Sequence, residues 1–95
     1  MKDIQELRQQ LDQIDREIVA LLEKRLDVSR DVARYKLARN LPVLDMAREA
    51  QVLDDRASLL REEEHREALR NIYQQIMAMS RAEQEKILQE EQKNA

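Results

Sequence analysis

The 95-residue sequence has no cysteine, glycine, phenylalanine or tryptophan, and only one proline. Without cysteine there is no disulfide framework, no thiolate nucleophile and no thiolate metal site. Average usage of about 7% would give roughly six glycines in a chain of this length. Their absence argues against sheets with tight turns and favours helices joined by undemanding loops.

Charges of the two signs nearly balance, with 20 acidic against 17 basic residues and a net charge of -3. A domain built for nucleic acid would be basic, so we expect no nucleic-acid partner. No run approaches the roughly 18 apolar residues of a membrane span, and the N-terminus offers no apolar signal core. We therefore expect one cytoplasmic domain over residues 1–95, with no membrane partner.

Apolar residues recur every three and four positions over residues 4–37, which predicts a first helix over about 3–39. One heptad column is Ile4, Leu11, Ile18, Arg25 and Val32, and the other is Leu7, Ile14, Leu21, Val28 and Tyr35. Asp3, with Glu6 three residues later, resembles a capping box at its start, and Asn40 and Pro42 favour its end. Such a helix is roughly 50 Å long, so we expect a second chain to share its seam.

Two further helices are expected, over about 45–61 and 66–91, and Asp45 is a suitable N-cap for the first of them. The polar run 61–67 separates the two apolar stripes. Because this run lacks glycine and proline, one continuous helix from 45 to 92 remains an alternative. The sequence predicts an all-α fold with three helices per protomer, the first of them long.

Arg25 interrupts the apolar seam of the first helix. A polar residue at such a position often only sets register or oligomeric state, and a long side chain can also reach solvent. Arg8, Lys36 and Arg48 are the other cations expected to face inward. Cations gathered in an interior carry a large desolvation cost unless an anion completes them. We infer a pocket for a small, multiply charged anion, since the arginine fork suits carboxylates.

Arg8 and Arg25 are too far apart to bind one small molecule from a single straight helix. Their separation of 17 residues corresponds to roughly 25 Å along the axis. If Arg8 joins the pocket, it comes from the antiparallel first helix of a second protomer.

Other chemistry has little support. His65 could join Glu62 or Glu64 in a metal site, but a solvated surface residue is far more common in such a charged turn. No serine has a nearby base, and no glycine-rich loop suggests a phosphate site. We expect no metal and no cofactor.

Several short motifs occur in a fixed order along the chain. They are the run Leu7-Arg8-Gln9-Gln10-Leu11-Asp12-Gln13-Ile14-Asp15, Leu21 to Arg25, Ala33 to Lys36, Pro42 to Glu49, and the pair Ser80 and Gln84. Each motif alone is too common to indicate a family. Together, with this spacing, they resemble the all-helical class of chorismate mutases over nearly the whole length of the chain.

The resemblance implies an intertwined antiparallel homodimer of three-helix protomers with two sites, each built from both chains. It implies the Claisen rearrangement of the dicarboxylate chorismate to prephenate, a step toward phenylalanine and tyrosine. That reaction needs no nucleophile, metal or cofactor.

The resemblance also implies roles for matched positions. Arg25, with Arg8 of the partner subunit, would hold the two carboxylates, and Ser80 would assist at the pocket wall. Lys36 and Gln84 would donate hydrogen bonds to the ether oxygen, where negative charge grows as the C–O bond breaks.

Further matched positions would complete the pocket. Glu49 would accept from the ring hydroxyl near the backbone at Asp45, and Arg48 would add positive potential and orient Glu49. Val32 and Met77 would supply apolar walls.

The sequence departs from the family in two places and leaves other functions open. Arg81 follows Ser80 where relatives usually carry an apolar residue, so we expect an added cation at the pocket edge that disturbs affinity. The second turn is acidic and lacks glycine, which makes its geometry differ from that of relatives. An isochorismate-pyruvate lyase shares the cationic framework and a glutamine, although the acid at Glu49 favours the mutase. A non-catalytic or designed helical dimerisation module is the third reading. In that module Arg25→Leu stabilises the dimer with no other consequence, whereas in the enzyme it abolishes turnover.

Overall fold

The computed structural model describes residues 3–93, which form three α-helices and a short 3₁₀ turn. Helix α1 spans Ile4–Ala38, α2 spans Met46–Ser58 and α3 spans Arg66–Lys93, and the 3₁₀ turn at Glu63–His65 precedes α3. No strand occurs within residues 3–93. The prediction of an all-α fold with three helices is confirmed.

Both ends of α1 follow from local chemistry. The Asp3 carboxylate accepts a hydrogen bond from the backbone N–H of Glu6 at 2.9 Å, which satisfies one N–H that the first turn leaves without a helical partner. Beyond Ala38 the chain turns through Asn40, whose φ of 55° is left-handed. Asparagine tolerates this conformation better than most residues.

The break between α2 and α3 rules out one continuous helix over 45–92. Helix α2 begins at its N-cap Asp45, whose carboxylate accepts from the backbone N–H of Arg48 at 3.0 Å. It ends at Ser58, earlier than the sequence suggested. The chain then reverses, so that α3 packs against both α1 and α2. A straight helix could not bury the apolar faces of both segments against each other.

The interior of the chain is small and lies mainly along α3. Ala33 of α1 is fully buried, and Ala57 of α2 and Met77 of α3 are nearly so. Across the α1–α3 contact, Nε of Arg30 donates to Glu83 at 2.6 Å. That hydrogen bond lowers the pKa of the Glu83 carboxyl and raises the pKa of the Arg30 guanidinium.

The N-terminal part of α1 leaves its apolar seam uncovered. The chain measures 60 × 27 × 14 Å, and every residue from 3 to 21 is exposed. Leu11 retains 58% and Leu21 64% of the exposure of the free residue. Within residues 3–93, no helix carries a stretch apolar enough to cross a membrane.

Candidate active site

One cavity of about 280 Å³ lies where the C-terminal half of α1, the start of α2 and the middle of α3 meet. Nine of the ten residues predicted for the site line it, namely Arg25, Val32, Lys36, Asp45, Arg48, Glu49, Met77, Ser80 and Gln84. The tenth, Arg8, lies outside the cavity and is exposed on the N-terminal part of α1. The fold of one chain therefore gathers all of the predicted set except the residue expected from a partner.

Lys36 crosses from the last turn of α1 to the loop before α2. Its Nζ donates to the backbone carbonyl of Val43 at 2.7 Å and to Oε1 of Gln84 at 3.3 Å. The break at Pro42 brings Val43 within reach. An ammonium group carries three N–H donors, so these two bonds leave one for a ligand in the cavity.

Gln84 is oriented by a chain of buried polar side chains. Its Nε2 donates to Oγ of Ser80, one turn earlier on α3, at 3.4 Å. The Ser80 hydroxyl in turn lies 2.6 Å from the hydroxyl of Ser29 on α1. This arrangement turns the Gln84 oxygen toward Lys36 and leaves the second N–H of its amide for a ligand.

Glu49 is held by Arg81, whereas the sequence suggested Arg48. Nη1 of Arg81 contacts both carboxylate oxygens of Glu49, at 2.6 Å to Oε2. Nη1 of Arg48 instead donates to Gln51 at 3.0 Å. Neighbouring positions on a helix point about 100° apart, so the side chain next to Glu49 in sequence is not the one beside it in space.

The cavity carries an excess of positive charge. Four cationic and two acidic side chains line it, leaving two net positive charges. Arg25 and Lys36 are partly buried, so water screens them less than it screens surface charges. Such a cavity suits a compact dianion.

Four lining residues were not predicted, namely Val28, Ser29, Val43 and Val52, whereas Arg81 lines the cavity as the added cation that the sequence suggested at its edge. Ser29 had a signal, since it precedes Lys36 by one heptad and so shares its face of α1. No sequence pattern indicated Val43, because its position depends on the path of the loop between α1 and α2.

The only cluster of three possible metal ligands within residues 3–93 lies outside this cavity, at the 3₁₀ turn. Ligand atoms of Glu62, Glu64 and His65 lie within 4.8 Å of one another, and all three residues are exposed. Nε2 of His65 is already 3.0 Å from Glu62. Exposed groups of this kind are common without a metal, and we assign no site here.

The family model for chorismate mutase type II matches residues 7–85. This chain belongs to the chorismate mutase type II family. The family predicted from the motifs is thereby confirmed, and the match covers α1 from Leu7, all of α2 and most of α3.

Three curated proteins are similar to this chain. A chorismate mutase of Methanocaldococcus jannaschii is 29% identical over 97% of this chain and 94% of its own length. A bifunctional chorismate mutase/prephenate dehydratase of Aquifex aeolicus is 31% identical over 92% of this chain, but only 25% of its own length. A 3-dehydroquinate dehydratase of Pyrobaculum aerophilum is 51% identical over 50% of this chain and 16% of its own length.

The chain therefore spans a quarter or less of two of these relatives and nearly the whole of the third. A search of solved structures gives no significant match.

Proposed function

We propose that this chain catalyses the Claisen rearrangement of chorismate to prephenate. In this reaction a C–O bond breaks and a C–C bond forms within one substrate molecule, and no proton or electron passes to the protein. The enzyme must therefore hold a folded, reactive conformer and stabilise the charge that grows on the ether oxygen. The supporting observation is the pairing of Lys36 with Gln84 at 3.3 Å in a cavity that also contains Arg25.

The two donors suit the ether oxygen. Lys36 and Gln84 each retain an N–H beyond those bonded within the protein, and the bonds to Val43 and Ser80 fix both groups in place. Preorganised donors of this kind stabilise a transition state more than a ground state, because they need no rearrangement when charge develops. One such donor is worth about 3 to 4 kcal/mol.

The substrate's carboxylates require two cationic groups. Arg25 supplies one from within the cavity, and we assign the other to Arg8 of the partner subunit. The ring hydroxyl is assigned to Glu49, near the backbone at Asp45. Arg48 contributes positive potential at the mouth of the cavity.

Other side chains shape the space between these groups. Val32 and Met77 provide apolar walls for the ring, and the Ser80 hydroxyl completes the polar side. Since Ser80 already bonds to Ser29, its main part in this proposal is to fix the orientation of Gln84.

An antiparallel homodimer completes the proposal. Two α1 helices packed along their exposed seams would bury side chains such as Leu11, Ile14 and Ile18, each about half exposed or more in one protomer. Antiparallel packing also brings the N-terminal part of one α1 to the cavity of the other chain. Such a dimer has two equivalent sites.

We also propose that the protein works in the cytoplasm, in the synthesis of aromatic amino acids. Fractionation of cells that express a tagged full-length protein would test this, and recovery in any other compartment would contradict it.

The activity is tested by incubating the purified chain with chorismate and, separately, with isochorismate. We expect chorismate to disappear and prephenate to form, with no cofactor added. Salicylate and pyruvate formed from isochorismate would instead identify a lyase. Failure to convert either compound would leave a helical dimerisation module and contradict the proposal.

A further inference from the structure

Arg81 occupies a position at the cavity that the roles assigned so far do not explain. It lies on α3 directly after Ser80 and reaches across to Glu49 in the first turn of α2. Its side chain is 34% exposed and that of Glu49 is 25% exposed, so this ion pair is more sheltered than most at the surface.

The pair uses only part of what Glu49 offers. A carboxylate has about four lone-pair positions, and one N–H-bearing nitrogen of Arg81 contacts both oxygens. The lone-pair positions of Glu49 that Arg81 does not occupy can accept a hydrogen bond from a hydroxyl group in the cavity, which Glu49 lines. The Arg81 guanidinium thus restrains the Glu49 carboxylate and leaves part of its hydrogen-bonding capacity free for a ligand.

We propose that Arg81 is a positioning residue that holds the Glu49 carboxylate toward the substrate's ring hydroxyl. The proposal rests on the function proposed above. Arg81 acts through Glu49, because both hydrogen bonds that its guanidinium makes are to that carboxylate. Direct contact of its other N–H groups with the substrate is the alternative that the double-mutant cycle separates. Arg81 also ties the start of α2 to α3 at the cavity's edge.

The test is a double-mutant cycle on chorismate turnover with Arg81→Met, Glu49→Gln and the double variant. Arg81→Met alone should lower kcat/KM roughly tenfold, as expected for loss of a hydrogen bond to a charged group. The loss should lie mainly in KM, because a hydroxyl contact is made in ground and transition states alike. In the Glu49→Gln background the same change should cost less than about threefold.

Two further variants separate positioning from simple packing. Arg81→Lys keeps a donor for the carboxylate and should recover part of the lost kcat/KM. Arg70→Met breaks a second α2–α3 ion pair, in which Arg70 lies 2.6 Å from Asp54 outside the cavity, and should leave the kinetics unchanged. If Arg81→Met does not fold, as judged by circular dichroism, Arg81→Gln takes its place in the cycle.

A full tenfold loss in the Glu49→Gln background would overturn the proposal, since Arg81 would then act on the substrate directly. Unchanged kinetics in Arg81→Met, or an equal loss in Arg70→Met, would overturn it as well. A wild-type protein that does not convert chorismate would overturn the proposed function, and this inference with it. An active wild type with additive effects would overturn the inference alone.

Discussion

The two halves of α1 share one heptad pattern but differ in what covers them. Residues 3–21 are all exposed, while Ser29 and Ala33 in the second half are buried against α3. The second half contributes Arg25 and Lys36 to the cavity, and the first half contributes nothing to it. Periodicity thus identifies an apolar face but does not say which chain covers it.

The difference in burial between the two halves of α1 also explains why the proposed site is shared between two chains. A helix that packs along its whole length on its own chain would have no exposed seam to share. Here the second half of α1 builds most of one site, and the first half is available to complete a site in another chain. The predictions below test each half separately.

The largest effect is expected from a charge placed on the exposed half. Leu11→Glu puts a carboxylate into the proposed interface, and the two-fold axis repeats it. At about 2 kcal/mol for each buried charge, the dimer dissociation constant should rise roughly a thousandfold. Analytical ultracentrifugation would measure the shift, and chorismate turnover should fall with it.

Gln9→Glu is the matched control, since it adds the same charge to an exposed residue that is outside both columns of the seam. It should leave the dimer intact. An unchanged dissociation constant in Leu11→Glu would contradict the proposed interface.

In the packed half, Lys36→Ala should lower kcat for chorismate by about 10²- to 10³-fold, because it removes a preorganised donor. The dimer and the helix content should not change. Lys24→Ala, at an exposed position on the same helix that does not line the cavity, is the control. Equal rates for the two variants would show that Lys36 is not the donor.

Ala33→Leu tests the close approach of α1 to α3. Ala33 is fully buried, so added methyl groups must displace the packed side chains of α3. We expect a loss of about 1–3 kcal/mol in the free energy of unfolding, measured by urea denaturation. The same change at Ala20, which is exposed in the first half, should leave the stability of the protomer nearly unaltered.

The smallest effect concerns the Arg30–Glu83 ion pair. The pKa of Glu83 is lowered from its ordinary value of 4.5, chiefly by the hydrogen bond from Arg30. The pair therefore stabilises the fold above that value, and its contribution is lost as pH falls below 4.5 through the lower pKa of the folded state.

Glu83→Gln should reduce the acid sensitivity of the free energy of unfolding over this range. Urea denaturation at a series of pH values would show it. Identical pH profiles for the variant and the wild type would contradict the role assigned to this pair.

Local features of the fold could be predicted from the sequence because they depend on near neighbours. Asp3 and Asp45 were expected to cap their helices, and both do. Asn40 was expected to tolerate a left-handed turn, and its φ is positive. The end of α2 was placed too late, because the turn at 59–62 depends on how α3 packs back against α2 and not on a glycine or proline.

In the candidate site, too, features set by neighbours in sequence could be predicted, and features set by packing between elements could not. Positions on α1 followed from heptad spacing, so Arg25 and Lys36 could be placed on faces that point inward. The partner of Glu49 could not be predicted, because it depends on the rotation of α2 relative to α3. The contact between Lys36 and the Val43 carbonyl likewise depends on the course of a loop.

Complementation between two inactive variants tests the shared site most directly. Arg8→Ala and Lys36→Ala proteins are co-refolded, so that mixed dimers form, and chorismate turnover is compared with that of each variant alone. In a mixed dimer one site has an intact Lys36 in one protomer and an intact Arg8 of the partner subunit. Random exchange should restore about one quarter of wild-type activity. No recovery, in a sample where mass spectrometry shows mixed dimers, would contradict a site completed by a second chain.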